Sequence, residues 1–311
     1  MGQVTQDPDH WSQAPEAPGA TEVRPAHLPP SVNLVCLLLT VVTTLIAGAL
    51  MTLEDFDWRT ARDIALDPSY WGLGIPYSMC LILILGAHEM GHYIACRFYG
   101  INASLPFLLP GPPFLGTFGA VIRIRAPLTD RRALFDVGVA GPIAGFVTAL
   151  PVLFYGLSQS SMTRLPPRAG DIGLPSCLLL DLLYPLFFPG MGPGESVRLH
   201  PTFVAAWVGL LATGLNLLPL GQLDGGHMLY AISRRAHRAV SRFGALLLIA
   251  LGAIFGGWHL LIFGIVFGII GPDHPPPLDE TGPPGPGRMV VALIGLAIFV
   301  LCIILRGPDI V

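Results

Sequence analysis

The chain has 311 residues, of which 52% are hydrophobic and only 12% charged, with a net charge of -3 and a mean hydropathy of +0.65. This composition excludes an ordinary soluble domain and indicates a polytopic membrane protein. The net charge is too small to imply a nucleic-acid partner, and none is expected; all basic residues are arginine.

Residues 1–30 are rich in Pro, Ala and polar groups without apolar periodicity, which predicts a disordered tail before a membrane domain over 31–311. Apolar runs long enough to cross a bilayer are expected near 33–52, 75–97, 134–157, 201–220 and 288–305. The first is not preceded by a basic stretch nor followed by a small-residue cleavage site, so it reads as a retained span. Residues 243–271 would form a helix of about 43 Å against a hydrocarbon core of about 30 Å. They are read as one tilted span, with a hairpin broken at Gly256-Gly257 as the alternative. The expected fold is an all-α polytopic membrane protein of about six transmembrane helices. A small membrane-associated β-hairpin is expected between the second and third.

That hairpin is read from residues 101–126. Leu105 to Pro110 is followed by Gly116-Thr117-Phe118-Gly119-Ala120-Val121-Ile122-Arg123-Ile124-Arg125, whose second half alternates apolar and polar residues as a strand does. Residues 174–190 are apolar but too short to span, which predicts a re-entrant or interfacial piece. Arginine placement sets orientation. Arg97, Arg123, Arg125, Arg131 and Arg132 lie between the second and third spans, and Arg234, Arg235, Arg238 and Arg242 follow the fourth. Both groups belong on the cytoplasmic side by the positive-inside rule, with the N-terminus inside and residues 53–74 and 158–200 outside.

Within the second apolar run stands His88-Glu89-Met90-Gly91-His92. Residues four apart share a helical face, so both imidazoles can reach one Zn²⁺, with Glu89 beside them to act on water. Glu89 is the only glutamate embedded in a long apolar segment, where an ionisable group is costly and usually functional. A catalytic zinc takes three protein ligands and keeps one position open. The third is sought near the end of the fourth span, in Asn216-Leu217-Leu218-Pro219-Leu220-Gly221-Gln222-Leu223-Asp224-Gly225-Gly226-His227. There Pro219 can break the helix and turn Asp224 back toward the histidines. Spacing alone leaves Asp224 evenly divided between metal ligand and helix cap. His227 is a competing ligand; His200 lies on the outer side, too far away, and His259 reads as a bundle histidine. The five cysteines show no CxxC pairing and read as small hydrophobes, with Cys96 a weaker ligand candidate on the His92 face.

Together, HEMGH at 88–92, GTFGAVIRIR at 116–125, AGPIAG at 140–145, NLLPLGQLDGGH at 216–227 and DHPPPLD at 273–279 resemble the site-2 proteases. These are zinc intramembrane metalloproteases of the M50 type, and the likeness is to the members without a PDZ domain. It covers about residues 70–306, with the catalytic core about 70–235. The resemblance implies one Zn²⁺ per chain held by His88, His92 and Asp224, Glu89 as general acid/base, and Asn216 positioning the substrate carbonyl or its oxyanion. The strand residues Gly119, Val121 and Ile122 are the expected substrate-binding positions, since an edge strand can pair with an unwound substrate. The small residues Gly141 and Gly145 read as helix-packing positions. The expected partners are a membrane-spanning protein substrate and the lipid bilayer. The expected location is a multi-pass place in a bacterial cytoplasmic membrane, the active site toward the cytoplasm. The alternative is a zinc-binding membrane protein without protease activity, a transporter or an inert scaffold.

Overall fold

The computed structural model describes residues 30–52, 58–124, 128–163, 174–191, 195–255, 258–270, 274–279, 281–282 and 284–303. The expected tail at 1–29 lies outside them. The chain is mostly helical. In order it forms α1 (Pro30–Met51), α2 (Trp58–Leu66), a 3₁₀ turn (Pro68–Gly74), α3 (Ile75–Phe98), β1 (Phe107–Pro110), β2 (Thr117–Val121), α4 (Arg131–Gln159), β3 (Ser161–Thr163) and α5 (Leu178–Phe187). There follow β4 (Ser196–Arg198), α6 (Pro201–Asn216), α7 (Asp224–Ile232), α8 (Arg234–Phe255), α9 (Trp258–Ile270) and α10 (Pro286–Cys302). Among the described residues, four stretches are long and apolar enough to cross a membrane: Ser31–Met51, Pro68–Phe98, Arg131–Gln159 and Arg234–Ile254.

The core gathers α3, α4, α5, α6, α7 and α10 around Ile84, Phe135, Leu153, Leu180, Phe203, Leu210 and Ile298. A second cluster joins α1 to α3 and α6 through Ala47, Tyr77, Leu81 and Ala205. Lipid tails are as apolar as leucine, so close van der Waals packing rather than hydrophobicity must hold such helices together. The small residues show where it occurs. A Cβ at Gly91 would lie 2.4 Å from the Ala140 carbonyl, and one at Gly156 would lie 2.4 Å from the Phe203 nitrogen. Only residues without a Cβ let these backbones approach so closely.

Two expectations about spans are corrected. The fourth apolar run does not continue as helix to residue 220: α6 ends at Asn216 after 16 residues, about 24 Å. Leu217 to Leu223 form turns, and α7 then carries the chain onward for nine residues. Pro219 has no N–H to extend the helix, which accounts for the break. The turns are tolerated among apolar helices because they are packed in protein, with Leu217 and Leu220 buried.

Residues 243–271 are not one tilted span. They divide between α8 and α9, which pack against each other so closely that a Cβ at Gly264 would lie 2.6 Å from the Ile249 side chain. The physical reason is where the chain goes next. The Leu278 N–H donates to the Leu128 carbonyl at 3.0 Å and the Asp279 N–H to the Thr129 carbonyl at 2.9 Å. Both lie just before α4, at its arginine-rich end. A single crossing from Arg234 would deliver residue 278 to the opposite end. Residues 256–257, between α8 and α9, lie outside the described residues.

The strand expectation resolves into an antiparallel β1–β2 pair with Phe107 opposite Val121 and Leu109 opposite Gly119. The regular strand ends at Val121, with one further bridge between Ala103 and Ile124; Arg125 lies outside the described residues. The pair is fastened to the helices at its turn: the Thr43 hydroxyl donates to the Gly116 carbonyl at 2.6 Å and the Tyr77 hydroxyl to the Leu115 carbonyl at 2.8 Å. Residues 174–190 contain only the ten-residue α5, in keeping with a piece too short to cross.

Candidate metal centre

On α3 the four-residue spacing stacks His88 and His92 on one face, and both rings are buried, as is Glu89 between them. Their Nε2 atoms are 3.2 Å apart. From the far side of the core, the turn after α6 brings Asp224 to the same point. Its Oδ2 lies 3.2 Å from His88 Nε2 and 3.3 Å from His92 Nε2. The Gly225-Gly226 pair makes this approach possible, since a Cβ at Gly225 would lie 2.1 Å from the Leu217 carbonyl and one at Gly226 2.4 Å from that of Gly221. Asp224 opens α7, yet Leu223 holds the cap position without a side-chain bond to the helix. The aspartate carboxylate is turned to the histidines, so the cap reading is set aside.

The three atoms form a nearly equilateral triangle. A tetrahedral zinc with bonds of about 2.0–2.1 Å has ligand–ligand edges of about 3.3 Å. The donors are of the right kind as well. The Val137 carbonyl can only accept, so its 2.7 Å contact with His92 Nδ1 puts the ring proton on Nδ1 and leaves Nε2 a lone pair. Two such lone pairs and a carboxylate repel at these distances unless a cation lies among them. These residues therefore fit a zinc ion, and His88, His92 and Asp224 form the one such group of ligand atoms among the described residues.

The packing face of α4 is shaped around this triangle. A Cβ at Gly141 would meet His92 Nε2 at 2.1 Å, and one at Gly145 would meet His88 Nδ1 at 3.0 Å. The packing expectation for both glycines holds, and it extends to the ligands themselves. Asn216, the last residue of α6, places its amide nitrogen 3.2 Å from His88 Nε2. Glu89 lies within electrostatic reach of His88, His92, Asp224 and the backbone amide of Ile122, just past β2. Gly119 and Val121 sit on β2 itself, Val121 half exposed.

The competing candidates go elsewhere. His227 Nδ1 pairs with His274 Nε2 at 2.6 Å. His200 precedes α6 and accepts the Thr202 N–H at 3.2 Å. Cys96 is buried among Ile101, Ala133 and Val137, and the side chain of His259 lies outside the described residues. All five cysteines are free.

Sequence reasoning missed three supports. Arg131, read only as a topological marker, donates from Nε to the Ala231 carbonyl at 2.8 Å and from Nη2 to that of Ile232 at 2.9 Å. It thereby satisfies the end of the helix that Asp224 begins. Arg288 makes a paired contact with Asp136, at 2.8 and 2.6 Å, and the Tyr99 hydroxyl also donates to Asp136, tying α3, α4 and α10 together. The Val137 carbonyl has no side-chain signal that could have revealed it. Arg131 and Asp136 were visible only as isolated charges near a span.

A profile described as Peptidase family M50 matches residues 76–256, which include all three triangle residues. The chain is 33% identical over 64% of its length to "Probable zinc metalloprotease EGY2, chloroplastic" of Arabidopsis thaliana, covering 36% of that protein. It is 32% identical over 74% of its length to "Probable zinc metalloprotease EGY1, chloroplastic" of Oryza sativa subsp. japonica, covering 40% of it. Against "Probable zinc metallopeptidase EGY3, chloroplastic" of Arabidopsis thaliana the identity is 25% over 76% of the chain and 43% of the relative. The chain thus spans about two fifths of the length of these relatives, whose names place them in chloroplasts and lend no support to a bacterial membrane. A match across more than half the chain, carrying the residues that meet in the triangle, assigns the family: this protein belongs to peptidase family M50.

Proposed function

We propose that this chain is a zinc-dependent endopeptidase that cleaves peptide bonds in or near transmembrane segments of membrane proteins. The observation that carries the reading is the buried His88–His92–Asp224 triangle, of tetrahedral edge length, with Glu89 beside it inside a bundle of apolar helices. The relatives named as zinc metalloproteases support it. Nothing in the geometry favours a transporter or an inert scaffold, neither of which needs a buried glutamate next to the first ligand.

When bound, zinc lowers the pKa of water to about 7 and polarises a carbonyl. Glu89 accepts the proton that water loses on attack and delivers it to the leaving amine. Asn216, at the edge of the triangle, donates its amide N–H to the oxygen that gains charge. Val137 keeps His92 in the tautomer that ligation requires.

A substrate helix hides its peptide bonds and has to unwind before water reaches them. We assign the β1–β2 hairpin to this step: within the sheet β2 pairs only with β1, so the opposite edge, along Gly119, Val121 and Ile122, is placed to add an extended substrate strand. The Ile122 backbone amide is within electrostatic reach of Glu89, which sets the end of that edge near the proposed catalytic carboxylate.

In the bilayer we infer five crossings: α1, α3, α4, α6 continued by α7, and α10. The α8–α9 hairpin has both ends on the arginine-rich face, taken as cytoplasmic by the positive-inside rule. The membrane itself, bacterial cytoplasmic or of the chloroplast kind named for the relatives, follows from the organism that carries the chain.

The test incubates the purified chain with single-span substrates. Glu89→Gln is expected to lower cleavage by roughly 10²–10⁴-fold while metal analysis still finds one zinc. His92→Ala and chelator treatment are expected to remove both zinc and cleavage. Undiminished cleavage by Glu89→Gln would sink the proposal.

A further inference from the structure

The helix α8 has two faces, and its outer one changes character once. Inward, His237, Ser241 and Ala245 recur every four residues and are buried. His237 Nε2 donates to the Gly221 carbonyl at 2.8 Å, and Ser241 Oγ accepts the Gly221 N–H at 3.0 Å. Outward, Arg235, Arg238 and Arg242 are exposed, and the same face then continues as exposed Phe243, Leu246 and Leu247. The switch from charge to hydrocarbon falls between neighbouring residues, Arg242 and Phe243. On a membrane helix such a switch marks the level at which acyl chains give way to headgroups.

The three arginines follow the i, i+3, i+7 spacing of a single helical stripe. The stripe is about 10 Å long, and with Phe243 it borders one open depression. Three other guanidiniums near this end have partners in the chain: Arg288 has Asp136, Arg131 the last carbonyls of α7, and Arg234 lies over the Tyr230 ring at 5.7 Å. Among the described residues, no carboxylate forms an ion pair with Arg235, Arg238 or Arg242. None could come from nearby in sequence, since no Asp or Glu occurs between Asp224 and Asp273. Three neighbouring cations without a counter-charge among the described residues, set at a headgroup level, form a stripe suited to anions of the membrane.

We propose that Arg235, Arg238 and Arg242 form a binding site for the phosphate groups of anionic phospholipids, whose acyl chains lie along Phe243, Leu246 and Leu247. The apolar continuation selects a lipid over a free phosphate, which would have no use for it. Because the inner face of α8 holds Gly221, in the turn that delivers Asp224, lipid bound outside steadies the helix that supports the metal ligand.

Native mass spectrometry of the detergent-purified full chain tests this. The chain is titrated with phosphatidylglycerol, with phosphatidylcholine of the same acyl chains, and with inorganic phosphate. Each arginine at an anionic surface is worth about fivefold in binding. The wild type should therefore retain phosphatidylglycerol over phosphatidylcholine by about tenfold or more, with the preference shrinking at high salt. R235Q/R238Q/R242Q should bring the two lipids close to parity, the corresponding triple lysine variant should keep most of the preference, and R62Q on α2 should leave it unchanged. Zinc content reports whether the triple glutamine variant is folded; if it has lost zinc, R238Q alone carries the test, with a loss of about fivefold. Equal retention of the two lipids by the wild type, or an unchanged preference in the folded triple variant, overturns the proposal. So does displacement of phosphatidylglycerol by millimolar inorganic phosphate.

Discussion

The α3–α4 pair and the α8–α9 pair are both apolar helices packed side by side, yet they are built to different ends. Between α3 and α4 the backbone of one helix meets the side chains that do chemistry on the other: Gly141 leaves room for the His92 ring and Gly145 for that of His88. Charged clamps lock their shared end, through Arg288, Asp136 and Tyr99. Between α8 and α9, among the described residues, Gly264 comes close to Ile249 and Ala245. Much of the remaining surface, including Leu246, Leu247, Ile265 and Ile269, is exposed hydrocarbon suited to lipid. A glycine in a membrane helix is therefore informative only through what it lies against.

The largest effect that would break this contrast comes from Gly141→Ala. A methyl group 2.1 Å from His92 Nε2 displaces a ligand, so metal analysis is expected to find no zinc and cleavage assays no turnover. Zinc retained at wild-type level would show that α4 does not shape the site. Next is Asn216→Ala, expected to slow cleavage by roughly 10²–10³-fold with zinc bound, as for loss of one oxyanion donor; a change confined to KM would reassign Asn216 to ground-state binding. Val121→Pro removes a backbone donor from β2 and is expected to cut cleavage of helical substrates about tenfold or more while zinc stays, the β-edge pairing being lost. A short peptide with no helix to unwind should be affected less. At the small end, Gly268→Ala on α9 is expected to leave thermal stability within about 0.5 kcal/mol, because its new Cβ meets nothing within 4 Å. Gly264→Ala should separate α8 from α9 and lower the melting temperature measurably. Equal effects at 264 and 268 would remove the distinction.

What could be read ahead of the structure followed from local rules. The four-residue spacing of His88 and His92, the improbable Glu89 in an apolar run, and the break allowed by Pro219 are properties of a short stretch of chain, and each is found in the fold. The β-strand was legible from alternation, though its end was not, because past Phe107–Val121 the pairing is interrupted and resumes only as a single bridge between Ala103 and Ile124. Hydropathy could not separate one long span from two helices over 243–271, since a helix packed on its neighbour and a helix in lipid are equally apolar.

The residues alone determined a membrane protein with two imidazoles on one helical face, because composition and helical periodicity act within a segment. Tertiary structure decided the rest. It brought the Asp224 carboxylate within 3.3 Å of both imidazoles rather than to a cap position, the Val137 carbonyl onto His92 Nδ1, and residues 278–279 back to the end at which α4 begins. Each depends on which distant backbone lies within about 3 Å, and no run of neighbouring residues encodes that distance.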